Sequence, residues 1–242
     1  MGMPVTVEIV DEPAKAEITE ELFRYFAAVD ERFSTYKDTS EIMRINRGEI
    51  GEDYYSPEMS EVFALAELTK RQTHGYFDIK KPNGAFDPSG IVKGWAIRHA
   101  AGILLNNNYK NFYIDAGGDI QSHGKNVNGK EWRVGIRNPF NREEIIKVIY
   151  PRGQGVATSG TYVRGQHIYN PHRPEERLTD IVSTTVIGPD VLEADRFATG
   201  AFAMGREGIN FIERLSAFEG YAIDAAGVAT MTTGFEAYTK TL

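Results

Sequence analysis

NFYIDAGGDIQSHG, residues 111–124, carries β-branched and aromatic residues on either side of Gly117-Gly118. It reads as strand, glycine turn, strand. Immediately upstream, residues 89–108 read as a helix that ends in the run Asn106-Asn107-Asn108. Downstream, residues 132–137, 145–150, 155–158, 167–169 and 181–188 are all strand-like, with Gly and Pro between them. Helical patterns over 191–204 and 206–218 precede a final pair of strands. Towards the N-terminus, TVEIV at 6–10 alternates as a strand does. Over 15–33, Ile18, Leu22, Phe26, Val29 and Phe33 recur at helical spacing. Ser56-Pro57 supplies an N-cap and a proline for the first helical position, and Met59, Val62, Phe63 and Ala66 give that helix its apolar face. Helices and strands alternate early, but the middle is a run of strands. That order predicts an α+β fold with mixed or antiparallel sheets rather than a doubly wound parallel one.

The fragment IDAGG at 114–118 has an echo, IDAAG at 223–227. Either a duplicated helix–strand unit or chance accounts for it. No linker or low-complexity tract divides the chain, so residues 1–242 read as one domain, either a single body or two interlocked lobes.

Composition narrows the function. The 242 residues are 41% hydrophobic, 25% charged and 11% aromatic, the profile of a globular protein. There is no run of roughly 18 apolar residues to form a membrane-spanning helix. The absence of cysteine excludes disulfides, thiolate nucleophiles and zinc–thiolate sites. With 27 Lys+Arg against 34 Asp+Glu, the net charge is −7 and neither sign forms a block. Nucleic acid, which is gripped through a basic patch, is not the expected partner.

Four stretches could carry chemistry. In DPSGIVKG at 87–94, Asp87 or Ser89 would cap a helix, Gly90 permits close backbone approach, and Lys93 lies one turn in. DAGGD at 115–119 leaves backbone N–H groups at Gly117 and Gly118 open to a ligand, with acidic side chains alongside. In EADRFATG at 193–200, Asp195 and Thr199 stand at i and i+4, so both oxygens face one way, as a hard cation would need. The turn Thr158-Ser159-Gly160 can hold a phosphate, and His167 beyond it is a candidate base. Taken singly, each stretch reads more readily as ordinary structure: a capped helix, a glycine turn, a surface carboxylate, a structural histidine.

Together and in order, they resemble the ApbE family, the FAD:protein FMN transferases. The matching stretches are MGMPVTV, FSTYKDTSEIMRIN, GYFD, DPSGIVKGWA, IDAGGDI, WRVGIRNP, VATSGTYVRGQHIYNP, STTVIGP and EADRFATGAF, running from Met1 to about Met204. The resemblance implies an ApbE-like (T-fold-like) domain in which FAD is the substrate. FMN would pass to a Thr or Ser hydroxyl of an acceptor protein, with release of AMP. Asp195 and Thr199 would bind Mg²⁺, helped by the backbone carbonyls of Gly90 and Ala198. Met1, Tyr36, Asp87, Lys93 and Tyr169 match positions that contact FAD. Gly117, Gly118 and the Thr158-Ser159-Gly160 turn would let backbone approach the nucleotide, and His167 would be the catalytic base.

Three features depart from the family pattern. Only IKKPNGAF, residues 79–86, separates the GYFD and DPSG motifs, where longer members carry an extended segment. Asn170 replaces the usual Asp, and Met3 the usual Thr. Because no signal peptide or lipobox precedes the first motif, the expected compartment is the cytoplasm; it would be extracytoplasmic if a leader had been removed. An FAD pyrophosphatase yielding FMN and AMP, and a flavin-binding protein without turnover, are the alternative activities.

Overall fold

A computed structural model describes residues 2–11, 16–141, 143–160 and 168–241. Strand β1 (Val5–Ile9) leads into helices α1 (Ala16–Phe33), α2 (Glu41–Asn46), α3 (Pro57–Gln72) and α4 (Ser89–Asn106). The strands β2 (Phe112–Ala116), β3 (Asp119–His123), β4 (Val134–Arg137), β5 (Ile145–Ile149), β6 (Gly155–Gly160) and β7 (Ile181–Gly188) follow. The chain then forms α5 (Val191–Ala203), α6 (Gly208–Glu213), β8 (Glu219–Asp224) and β9 (Ala229–Met231).

Seven strands form one sheet in the order β1-β2-β3-β6-β7-β8-β9, and every pairing in it is antiparallel. The expectation of helices with an antiparallel sheet therefore holds. Because directions alternate across the sheet, β2, β6 and β8 run the same way and end along one edge. The hairpin β4–β5 stands apart as a two-stranded sheet.

Alternation of side chains decides what covers each face. Along β6, Val156 joins Val134, Ile136 and Ile149 of the hairpin in one apolar cluster, while its neighbour Ala157 packs with Ala194, Ala198 and Phe197 of α5 in another. In β7, Ile187 and Val186 divide in the same manner. So the hairpin lies on one face and the helices on the other. A larger cluster fills the space between α1, α3, α4 and β2, around Trp95, Leu22, Phe112 and Ile114.

Ser56 caps α3, its hydroxyl accepting the Met59 N–H at 3.2 Å, and Pro57 takes the first helical position. The carboxylate of Glu41 in turn accepts both the backbone N–H and the hydroxyl of Ser56 at 2.7 Å. That contact fixes α2, a helix the apolar periodicity does not announce because it is only six residues long.

Three local expectations need correction. The N-cap of α4 is Pro88, with no side-chain cap bond; Asp87 instead accepts the Ser89 N–H at 3.1 Å in a turn just before the helix. The pattern over 206–218 gives only a short three-ten turn and α6, since the chain turns after Glu213 and Ala217 adopts φ +67°. Ile168 and Tyr169 belong to no strand, and His167 lies outside the described residues. The two sequence echoes occupy equivalent places: each runs from the end of a strand one in from an edge of the sheet into the following turn, and both turns use positive-φ glycines, Gly117 and Gly118 in one, Gly227 in the other. Among the described residues no helix is long and apolar enough to cross a membrane.

Candidate active site

The carboxyl ends of β2 and β6 meet the amino end of α4 at one edge of the sheet, and a cleft of about 630 Å³ opens there. Strand order creates it. The pairing of β3 with β6 places Ile120 opposite Val156, so Asp119 sits beside Thr158 and accepts its N–H at 3.1 Å. Helix α4 then lays Lys93 over the pair, with its Nζ 2.7 Å from Asp119 Oδ2. Asp119 is 1% exposed, and its second oxygen meets the ammonium as an ionic contact while making no hydrogen bond of its own.

Asp195 of α5 lies against the same group. It is buried, and its Oδ2 accepts the Gly94 N–H at 2.7 Å. Burial first, and then the nearby Asp119 carboxylate, push the Asp195 carboxyl well above the usual carboxylate range; Lys93 and the Gly94 N–H pull the other way without cancelling the rise. Two buried carboxyl groups thus face one ammonium, so a further positive charge bound beside them would favour the ionised form of Asp195.

The remaining oxygens are neutral. One turn along α5 from Asp195, Thr199 Oγ1 lies 3.4 Å from the carbonyl of Gly90 and 3.4 Å from Ser159 Oγ. Gly90 itself sits so close to α5 that a Cβ there would stand 3.1 Å from the Thr199 methyl. One carboxylate, two hydroxyls and a carbonyl are hard-oxygen donors suited to Mg²⁺ rather than to a thiophilic or imidazole-bound metal. Among the described residues no group of three or more His, Cys, Asp or Glu side chains converges.

The walls bring together most of the other sequence candidates. Asp87, Lys93, Gly90, Gly117, Gly118, Thr158, Ser159, Gly160, Tyr169, Asp195 and Thr199 all line the cleft. Asp87 pairs with Lys81 at 2.6 Å; burial raises its pKa, but the Lys81 and Ser89 hydrogen bonds outweigh this and hold it below the usual value. Burial raises the Tyr169 phenol, helped by Asp78 and Asp87 facing it. Tyr36 lies elsewhere, 96% exposed on an adjoining apolar groove of about 430 Å³ that shares Gly2, Met3, Ser89 and Lys93 with the cleft. Ala198 is buried in the cluster beneath the sheet and does not line the cleft. Met1 and His167 fall outside the described residues.

The site residues expected from sequence do not include Asp119, Asp115, Arg137, Tyr76 or Phe77, although all but Asp119 line the cleft and Asp119 is buried against Lys93. The signal was present for all five, because acidic residues flank the glycine pair, Tyr76 and Phe77 belong to GYFD, and Arg137 belongs to WRVGIRNP. Burial and the neighbouring Asp119 raise the Asp115 carboxyl, while the Gly118 N–H, 2.8 Å away, partly offsets this.

The chain matches the ApbE family over residues 1–81 and 79–222. A FAD:protein FMN transferase of Salmonella typhimurium is 31% identical over 150 residues, 58% of this chain and 43% of that protein. Another, from Vibrio cholerae, is 33% identical over 130 residues, 50% of this chain and 39% of that protein. The matches thus span less than half the length of these curated relatives. In fold, the flavin transferase ApbE from Vibrio cholerae superposes with a TM-score of 0.87 at 23% identity, covering 98% of this chain and 96% of that one. The ApbE protein from Thermotoga maritima gives a TM-score of 0.83 at 20% identity, covering 99% and 96%. From the order of its motifs to the arrangement of its sheet, this chain belongs to the ApbE family.

Proposed function

We propose that the protein transfers FMN from FAD to a Thr or Ser hydroxyl of an acceptor protein, with Mg²⁺ as the required cation and AMP as the second product. The observation that carries this reading is the cluster on the cleft floor. Asp195, Thr199 and the Gly90 carbonyl supply hard oxygens for Mg²⁺, beside Lys93 at the amino end of α4. Bound there, the cation neutralises pyrophosphate charge. The protein's own residues do the rest. Lys93 and the first N–H groups of α4 attract the pyrophosphate. Gly117 and Gly118, at φ +63° and +97°, turn the backbone without side chains in the way of a nucleotide. Asp119 holds Lys93 in place from below.

The chemistry is one substitution at phosphorus. The acceptor oxygen forms a bond to the FMN phosphorus as the bridging P–O bond to AMP breaks. The hydroxyl proton passes to His167, since an imidazole can take up and release a proton at neutral pH. Tyr36 and the apolar groove beside the cleft offer a platform for one of the aromatic ring systems of FAD.

The deciding experiment incubates the protein with FAD, in Mg²⁺ or EDTA, with and without a Thr-containing acceptor protein. Mg²⁺-dependent AMP release together with a covalently fluorescent acceptor is the expected result. AMP and free FMN irrespective of acceptor would make water the acceptor and the protein a pyrophosphatase. Intact FAD in every sample would leave a flavin-binding protein.

A further inference from the structure

Helix α3 ends in a hydrogen-bonded reversal. The Gly75 N–H reaches back to the Lys70 carbonyl at 2.7 Å and the His74 N–H to that of Arg71 at 3.2 Å, the paired bonds of a Schellman turn. The left-handed position in such a turn ordinarily falls to glycine, yet here it is His74, at φ 53°, with Gly75 following at φ +84°. That conformation turns the His74 carbonyl outward, where His172 Nε2 donates to it at 3.0 Å. The neutral Nε2–H tautomer and the imidazolium both donate from this atom.

Two further contacts lock the imidazole in place. Its ring meets the Tyr76 ring edge-on, with centroids 4.6 Å apart. Gly75 leaves the space it occupies, since a Cβ there would lie 3.0 Å from His172 Cε1. On its own side, His172 belongs to a compact turn: its N–H donates to Asn170 Oδ1 at 2.9 Å, and the Arg173 N–H to the Asn170 carbonyl at 3.0 Å. Tyr76 and Phe77 on one segment, and Ile168, Tyr169 and Pro171 on the other, line the same cleft.

We infer that His172 is a positioning residue that clasps the end of α3 to the 168–173 turn, fixing the cleft wall that carries Tyr169. Its consequence for FAD rests on the flavin reading above, but the clasp itself does not. Its bond is partly exposed to water, so its loss is expected to weaken wall order and ligand affinity by about fivefold to tenfold rather than abolish them.

The test compares His172→Leu, His172→Gln and Gly75→Ala with the unaltered protein. Three properties are read: amide hydrogen exchange over 74–77 and 168–173, FAD affinity from flavin fluorescence, and the thermal midpoint. His172→Leu should speed exchange in both segments several-fold and weaken FAD binding, with little change in midpoint; Gln, which keeps an N–H donor, should restore both. Gly75→Ala should act like His172→Leu, and the double variant should be no worse than either alone. Unchanged exchange in both segments of His172→Leu, or additive effects in the double variant, would overturn the clasp. Exchange behaving as expected in a protein that does not bind FAD would support the clasp while overturning the flavin reading.

Discussion

The backbone N–H of Gly94, inside α4, points at Asp195 Oδ2 on α5, 2.7 Å away and 101 residues later in the chain. An N–H in that position ordinarily bonds the carbonyl four residues back, which is Gly90. The Asp195 carboxylate competes for it, and Gly90 is the residue whose carbonyl faces Thr199 Oγ1. Close approach of the two helices therefore anchors a buried carboxylate beside the Gly90 carbonyl and the Thr199 hydroxyl at the proposed cation site. Only glycine permits the approach, because a Cβ at residue 94 would stand 2.7 Å from both Asp195 Cβ and the Val191 carbonyl oxygen.

Gly94→Ala should accordingly push α4 and α5 apart. The clash is with backbone, which cannot swing aside, so a destabilisation of about 3 kcal/mol is expected. Chemical denaturation of the ligand-free protein measures it; a change within error would mean the helices are free to separate.

Asp195→Asn should separate stability from function. The amide oxygen can still accept the Gly94 N–H, while the repulsion with Asp119 disappears. The ligand-free thermal midpoint should hold steady or rise. Transfer should fall at least about a hundredfold, the scale of losing one electrostatic stabiliser of a transition state. Retained Mg²⁺-dependent activity would remove Asp195 from the cation site.

Tyr36→Ala should leave the fold untouched, because the side chain is 96% exposed. If its ring is a platform for FAD, affinity should drop about tenfold, in the range of stacking against an aromatic side chain. Equilibrium titration of FAD, with a melting curve as control, distinguishes this from a general effect.

Asp11 is one of several carboxylates that make the fold sensitive to acid. Burial nudges its pKa up, but hydrogen bonds from the Asn111 side chain and from the backbone N–H groups of Asn111 and Lys110 hold it below its ordinary value. A carboxylate lowered on folding stabilises fully above its unfolded pKa, about 3.9, and that contribution fades as the pH falls through the folded value. Asp11→Asn should flatten the loss of stability below about pH 4 while leaving the neutral-pH slope alone. Denaturation midpoints across that range are the check.

His167→Ala should suppress transfer while sparing FAD binding. Loss of both together would indicate a structural histidine instead of a base.

Local chemistry made much of this protein legible in its residues. Apolar spacing gives α1, Ser56-Pro57 starts α3, and the glycine pair between two β-rich runs gives the β2–β3 hairpin, because each depends on neighbours a few residues apart. The i, i+4 spacing of Asp195 and Thr199 likewise put both oxygens on one face before any packing was known. Tertiary structure alone decided what those oxygens meet. Pairing β3 with β6 across the inserted hairpin brings Asp119 to Thr158, and the crossing of α4 and α5 sets Lys93 and Gly94 against two carboxylates. It also decided that His172, inconspicuous in sequence, docks on the end of α3 nearly a hundred residues earlier. Strand order and helix crossing depend on which apolar faces bury one another across long loops, and periodicity, which reports a face but not its partner, cannot specify that.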